Sequence, residues 1–115
     1  MTVQRGEIYF VDLDPVRGRE QSGTRPVLVL STDDLNRLPL VVTVIPGTDG
    51  ANVFHDYPNS VRVPPADSGL PRETVFLCFQ IRALDVSRFP KKAAGSLSAV
   101  MLARVEDAIR YCLGL

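Results

Sequence analysis

The chain has no run of apolar residues long enough to cross a membrane, and Met1 to Ile8 lacks the apolar core of a secretory signal. Both absences point to the cytoplasm and to no membrane partner. Cysteine and histidine are scarce: Cys78, Cys112 and His55 are the whole supply, with no CxxC pair and no Cys/His cluster. Nothing in that spacing offers a structural zinc site, so no metal is expected. Cys78 lies in VFLCFQI and Cys112 in a helical pattern, so both are expected to behave as small buried hydrophobes. A disulfide between them is not expected in a reducing compartment. Internal repeats and low-complexity segments are also missing. So is net charge: 13 Lys and Arg balance 13 Asp and Glu, which excludes a generic basic coat for nucleic acid. Any site for a polyanion must come from local clustering instead. The charge is uneven in this sense, since residues 1–58 are acid-rich and residues 59–115 base-rich.

What is present is enough for one domain spanning 1–115. A chain of 115 residues with 45% hydrophobic content buries a core without staples. Ile8 to Leu13 is β-rich and ends at Asp14-Pro15. Val27 to Leu30 is unbroken aliphatic, the mark of a strand buried on both faces. Ser31 to Asp34 supplies caps for a helical turn through Asn36, which Pro39 prevents from extending. Leu40 to Ile45 reads as a third strand, closed by Pro46-Gly47-Thr48-Asp49-Gly50. A polar loop covers 51–60, Val61 and Val63 flank Arg62 in a short strand, and 64–71 form a long turn. Thr74 to Ile81 reads as one strong strand, continued after a bend by Ala83 to Val86. From Leu97 to Leu113 the stripe Leu97, Met101, Val105, Ala108, Ile109, Cys112 defines an amphipathic helix, capped by Ser96 or Ser98 and ended by Gly114. Short strands followed by one helix predict a mainly β fold with α additions: a small, curled, antiparallel SH3-like barrel with a C-terminal helix.

Candidate sites cluster in DPVRGREQSGTRPVLVL, residues 14–30. Gly18 and Gly23 allow close backbone approach, and Arg17, Arg19 and Arg25 offer planar, bidentate phosphate contacts. A solvated hairpin loop fits the same composition. Pro26 confines Arg25 to extended backbone at the edge of a strand core. That arginine either stabilises developing phosphorane charge or pairs with Glu20 or a nearby aspartate. Thr48 is a phosphate donor or a plain turn residue. His55, in VFHDYPNS, reads as surface. Tyr9, Phe10 and Phe79 could stack on bases, with the core the default for Phe10. Gln80 and Arg82, two apart in a strand, would share a face.

RGEIYFVDLDPVRGREQSGTRPVLVLS, residues 5–31, resembles the opening of the MazF/PemK family of toxin endoribonucleases. The resemblance continues in VIPGT at 44–48, FQIRALD at 79–85 and the terminal helix, and is weak over 49–73. It implies a homodimer of SH3-like barrels that cleaves single-stranded RNA, often mRNA, without metal or other cofactor. The 2′-hydroxyl would attack the adjacent phosphate, leaving 2′,3′-cyclic phosphate and 5′-hydroxyl ends. The family arginine falls on Arg25, the family threonine on Thr48 and the family glutamate on Glu20, the last as a possible orienter of Arg25. Arg17, Arg19, Gln21 and Ser22 in the loop, with Gln80 and Arg82, would contact RNA. Arg19 departs from the small residue common before the glutamate, so the cleavage motif does not carry over. The resemblance also implies a cognate antitoxin, whose binding segment should be acidic to compete with RNA for an arginine-lined groove. Two other classes stay open: a gyrase-binding toxin of the CcdB type on the same barrel, and a non-catalytic SH3-like module.

Overall fold

The computed structural model describes residues 2–38 and 40–115; the proposed stop at Pro39 and the terminal Met1 lie outside them. Seven strands form one curled antiparallel sheet: β1 (Glu7–Asp12), β2 (Thr24–Val29), β3 (Val41–Asp49), β4 (Ser60–Val63), β5 (Thr74–Leu77), β6 (Arg82–Asp85) and β7 (Gly95–Ser96). The path runs β4-β5-β3-β2-β1-β7, with β6 also on β3. Two helical turns, α1 (Asp33–Asn36) and α2 (Pro65–Ser68), three 3-10 turns (Gly50–Asn52, Cys78–Gln80 and Val86–Arg88) and one long helix, α3 (Ala99–Leu113), complete the elements of the described residues.

Alternation sends side chains to both faces of this sheet, and both faces are covered. Ile8, Leu28, Ile45 and Phe76 pack on one side with Met101, Val105 and Ile109 of α3. Val11, Val27, Val29, Val44 and Leu84 pack on the other with Tyr9 and Phe89. The aliphatic run of β2 is thus buried on both faces, as its composition requires.

β3 is the member that shapes the site. Its first residues pair with β6, Val44–Pro46 pair with β2, and Gly47–Asp49 pair with β5. The strand therefore turns a corner at Pro46-Gly47 and leaves β2 for β5. A side chain at Gly47 would begin 2.8 Å from Thr74 Cγ2 and 3.2 Å from the Phe76 ring, so the corner is passable only to glycine. The curl is completed where α2 meets β7: Ser98 N–H donates to the Asp67 carbonyl at 2.9 Å. A Cβ on Gly95 there would lie 2.1 Å from the Ser68 carbonyl oxygen.

Four expectations are corrected. Thr48 lies inside β3, not in a loop after it, because the PGTD segment makes a strand corner rather than a turn. The strand expected over 74–81 ends at Leu77, where Cys78–Gln80 form a single 3-10 turn that redirects the chain into β6. Phe10 is not core: it is 42% exposed, and Tyr9 takes the buried face, edge-on to Phe89 at 5.3 Å. α3 starts at Ala99, with Ser98 Oγ accepting from Met101 N–H. Its stripe is buried as expected, with Cys112 only partly so, and both cysteines are free thiols.

Candidate active site

The loop between β1 and β2 is built, not loose. Leu13 N–H donates to the Gly23 carbonyl at 2.9 Å and Gly23 N–H to Asp14 Oδ1 at 3.3 Å, closing its base. At its tip Glu20 N–H donates to the Arg17 carbonyl, and Arg17 N–H donates back to the Glu20 carboxylate. Gly18 and Gly23, at φ of 55° and 75°, allow these reversals. Gln80 fastens the side of the loop, since its Oε1 accepts from Gln21 N–H at 2.7 Å and its Nε2 donates to the Arg19 carbonyl at 3.4 Å.

Arg25 belongs to β2 itself, opposite Val11. The β2–β3 ladder stops at the Val27–Pro46 rung. Continued by two residues, it would place Arg25 opposite Thr48, but the departure of β3 leaves that interval unpaired. Pro26 fits there because its missing N–H faces no ladder. Arg25 and Thr48 thus stand on either side of a gap, on the strand face shared with Val27 and Val44. Arg25 Nε donates to the Ser22 carbonyl at 2.9 Å. Among the described residues no carboxylate lies within ion-pair distance of its guanidinium. The alternative of a structural pair with Glu20 is therefore not realised, because Glu20 folds back on the loop turn. Thr48 is 7% exposed, and no hydrogen bond engages its hydroxyl among the described residues.

Two concavities flank this gap. A groove of about 590 Å³ is lined by Arg19, Glu20, Gln21, Phe79, Gln80 and Arg82, with Pro46 at its floor. Six of the residues singled out in the sequence meet there, Phe79 among them. Gln80 and Arg82 do so from a turn and the next strand, not from alternate positions of one strand. A smaller cavity of about 160 Å³ is lined by Arg25, Phe10, Thr24, Pro26, Asp49 and Arg72, among others. Arg17 and Ser22 line neither and are exposed.

Sequence reasoning passed over three features. Arg62 donates to Asp56 at 2.8 Å, Glu73 at 2.8 Å, the Val53 carbonyl at 2.7 Å and the Gly50 carbonyl at 3.1 Å. Hydrogen bonds to Glu73 and then Asp56 push the pKa of its guanidinium above the usual arginine value. Arg72 pairs with Asp49 at 2.8 Å, and this hydrogen bond, followed by one from Ala51 N–H, holds the Asp49 carboxyl below the usual range. Phe54 and Tyr57 are exposed, and His55 sits edge-on to Tyr57 at a surface position, as expected. Among the described residues no three His, Cys, Asp or Glu side chains gather as a metal site, and no helix is long and apolar enough to cross a membrane.

Residues 4–113 match the family described as PemK-like, MazF-like toxin of type II toxin-antitoxin system. The chain is 36% identical over 113 residues to the endoribonuclease MazF of Staphylococcus epidermidis, covering 98% of this chain and 92% of that one. It is also 36% identical over 118 residues to the endoribonuclease EndoA of Bacillus subtilis strain 168, covering 100% and 97%. The crystal structure of MazF from Deinococcus radiodurans aligns with a TM-score of 0.83 and 27% identity, over 100% of this chain and 99% of that one. An endoribonuclease from a mycobacterial species, solved in complex with its cognate antitoxin, has the same fold at a TM-score of 0.80 and 22% identity.

Proposed function

The chain belongs to the PemK-like, MazF-like toxins of type II toxin–antitoxin systems, and we propose that it acts as an endoribonuclease on single-stranded RNA, mRNA included, without a metal ion. The observation that carries this reading is the gap between β2 and β3. By register, Arg25 and Thr48 stand across the unpaired interval from each other. Among the described residues Arg25 has no carboxylate at ion-pair distance and the Thr48 hydroxyl has no hydrogen bond, and a groove lined by arginines and glutamines lies beside them.

The chemistry asks little of the protein. The ribose 2′-oxygen attacks the adjacent phosphorus as its proton leaves. The P–O5′ bond breaks as the 5′-oxygen takes up a proton, leaving 2′,3′-cyclic phosphate and 5′-hydroxyl ends. No protein nucleophile is needed, only positioning and stabilisation of the phosphorane charge. Arg25, its plane set by the Nε bond to Ser22, keeps both terminal nitrogens for phosphate oxygens. Thr48 donates its hydroxyl to a phosphate oxygen from the opposite strand. Glu20 holds the loop turn at the rim of the groove, and Arg19, Gln21, Gln80 and Arg82 line the path of the RNA. Single strands are preferred because in-line attack and base reading both need nucleotides splayed out of A-form.

We also assign the working state as a homodimer in the cytoplasm. Exposed Phe79, Tyr111 and Leu113 border one concavity and give a second copy apolar surface to cover. The cognate antitoxin carries an acidic segment for the Arg19–Arg82 groove.

The test is a mixed-sequence single-stranded RNA incubated with wild type, Arg25→Ala and Thr48→Ala in EDTA, with the ends identified. Cyclic phosphate and 5′-hydroxyl ends from wild type alone are expected. Intact RNA across a complete set of short motifs would overturn the reading in favour of a protein-binding toxin of the gyrase-poison type.

A further inference from the structure

Phe54 is 87% exposed and Tyr57 is 57% exposed, both in the loop that leaves β3. Large rings this open in a short loop usually accompany mobile backbone. Here the backbone around them is fastened. Arg62 reaches from β4 to the Val53 carbonyl at 2.7 Å, immediately before Phe54, and to the Asp56 carboxylate at 2.8 Å, immediately before Tyr57. The Val53 N–H returns to the Gly50 carbonyl at 3.1 Å, and the Ser60 N–H to the Tyr57 carbonyl at 3.2 Å. Asp49 caps the turn by accepting from Ala51 N–H at 2.9 Å. The rings are therefore presented on a preorganised loop, which limits the ordering cost of using them.

Their place in the chain ties them to the site. Phe54 follows Thr48 by six residues, and the extended chain between them spans at most about 20 Å. The guanidinium of Arg62 is spent on four protein acceptors and is not left for phosphate. What the loop offers a ligand is ring faces, not charge. Aromatic faces are what splayed bases stack on, with little regard to sequence.

We propose that Phe54 and Tyr57 form a base-stacking platform for nucleotides flanking the cleaved bond of single-stranded RNA, positioned by Arg62. The proposal rests on the RNA-cleaving reading and extends it into the 49–73 segment. Phe54 and Tyr57 act as binding residues, and Arg62 acts through the loop as a positioning residue.

The experiment uses the full chain with an RNA that wild type cuts, and measures KM and kcat for wild type, Phe54→Ala, Tyr57→Ala and Phe54→Trp. A stacked ring is expected to raise KM about 5- to 100-fold when removed, with the loss lying in KM. Phe54→Trp should restore it, and its indole fluorescence should be quenched by an uncleavable 2′-deoxy analogue of the same RNA. Moving an abasic nucleotide along the RNA supplies the specific signature. At one flanking position the abasic substitution should weaken wild type and leave Phe54→Ala unaffected. Wild type that cuts RNA with the same KM as both alanine variants overturns the platform alone. Wild type inert to RNA overturns the nuclease reading and the platform together. Unchanged KM with weakened antitoxin affinity, or with a lost dimer in sedimentation, assigns the rings to a protein contact and also overturns it.

Discussion

Arg25 and Arg62 sit at comparable places, each in a strand just after a polar loop, and their surroundings are opposite. Arg62 has two carboxylates and two carbonyls. Among the described residues Arg25 has one carbonyl. A guanidinium carries five N–H donors, so Arg62 is nearly saturated by its own protein while Arg25 is left with most of its donors free. A cation that the fold has already neutralised holds the fold together. One that the fold positions and leaves unneutralised is available to an anion brought from outside. The contrast separates a structural arginine from a candidate catalytic one without any appeal to motif.

The sharpest way to break that contrast is to remove each arginine in turn. Arg25→Ala should lower kcat on RNA by about 10²–10³, the effect of deleting one preorganised donor to transition-state charge. Its thermal midpoint should stay at the wild-type value. Arg25→Lys should recover only part of the rate, since an ammonium keeps the charge and loses the planar fork. Arg62→Ala should do the reverse, lowering the thermal midpoint and raising KM while the chemical step persists. Parallel calorimetry and single-turnover cleavage decide between these patterns. Equal loss of rate in both variants, or a stability loss in Arg25→Ala, would erase the distinction.

The same two regions differ in how much the sequence disclosed. Around Arg25 nearly everything is local: a β-rich run, a D-P break, two glycines and an aliphatic strand follow one another within residues 5–31, and their order dictates the hairpin. Around Arg62 the partners come from residues 50, 53, 56 and 73, and no local pattern connects them. Thr48 was hidden for a different reason. Pro-Gly-Thr-Asp is turn-like in composition, and only tertiary pairing with β5 keeps it extended. The break at Cys78 was invisible because VFLCFQI is uniformly β-prone. Phe10 was misplaced because neighbouring strand residues take opposite faces and a one-residue shift in register swaps them, so only tertiary pairing decides that Tyr9 is the buried ring. The two-residue β7 is too short to announce itself.

The frame around the site tests the complementary side of the contrast, positions where nothing may be added or charged. Gly95→Ala drives a methyl into the Ser68 carbonyl, a backbone atom that cannot swing aside. It should cost roughly 1–3 kcal/mol by forcing β7 away from α2, read as a lower urea midpoint with Arg25 chemistry kept in the folded fraction. Cys78 responds to pH instead. Burial first, and neighbouring Cys112 second, push its thiol from 9.0 up to about 12. Burial first, then the hydrogen bond to and charge of Glu7, push Tyr9 from 10.0 up to about 12. Between pH 9 and 12 the unfolded chain therefore holds fewer protons than the folded one. Stability is complete below pH 9 and falls as pH rises through that window. Cys78→Val should flatten the fall from its onset at pH 9, and Tyr9→Phe its upper part, in urea titrations at stepped pH.

Glu20 gives the smallest expected effect and the finest test of the division between holding and reacting. Its carboxylate accepts the Arg17 N–H and makes no contact with Arg25. An amide keeps an oxygen that can accept the same bond, so Glu20→Gln should preserve the loop turn and cut kcat by less than about threefold, within the range of a lost peripheral contact. Glu20→Ala removes the acceptor, leaves the Arg17 N–H to water, and should show its loss mainly in KM as the rim of the groove loosens. If the ionised carboxylate instead accepts the 2′-hydroxyl proton, Glu20→Gln should cost about 10²–10⁴ in kcat, the range of general acid–base catalysis. It would also remove the acidic limb of the pH–rate profile. Single-turnover rates of wild type and Glu20→Gln between pH 4 and 8 separate the two outcomes: parallel profiles keep Glu20 with Arg62 among the residues that hold, and a lost limb moves it beside Arg25.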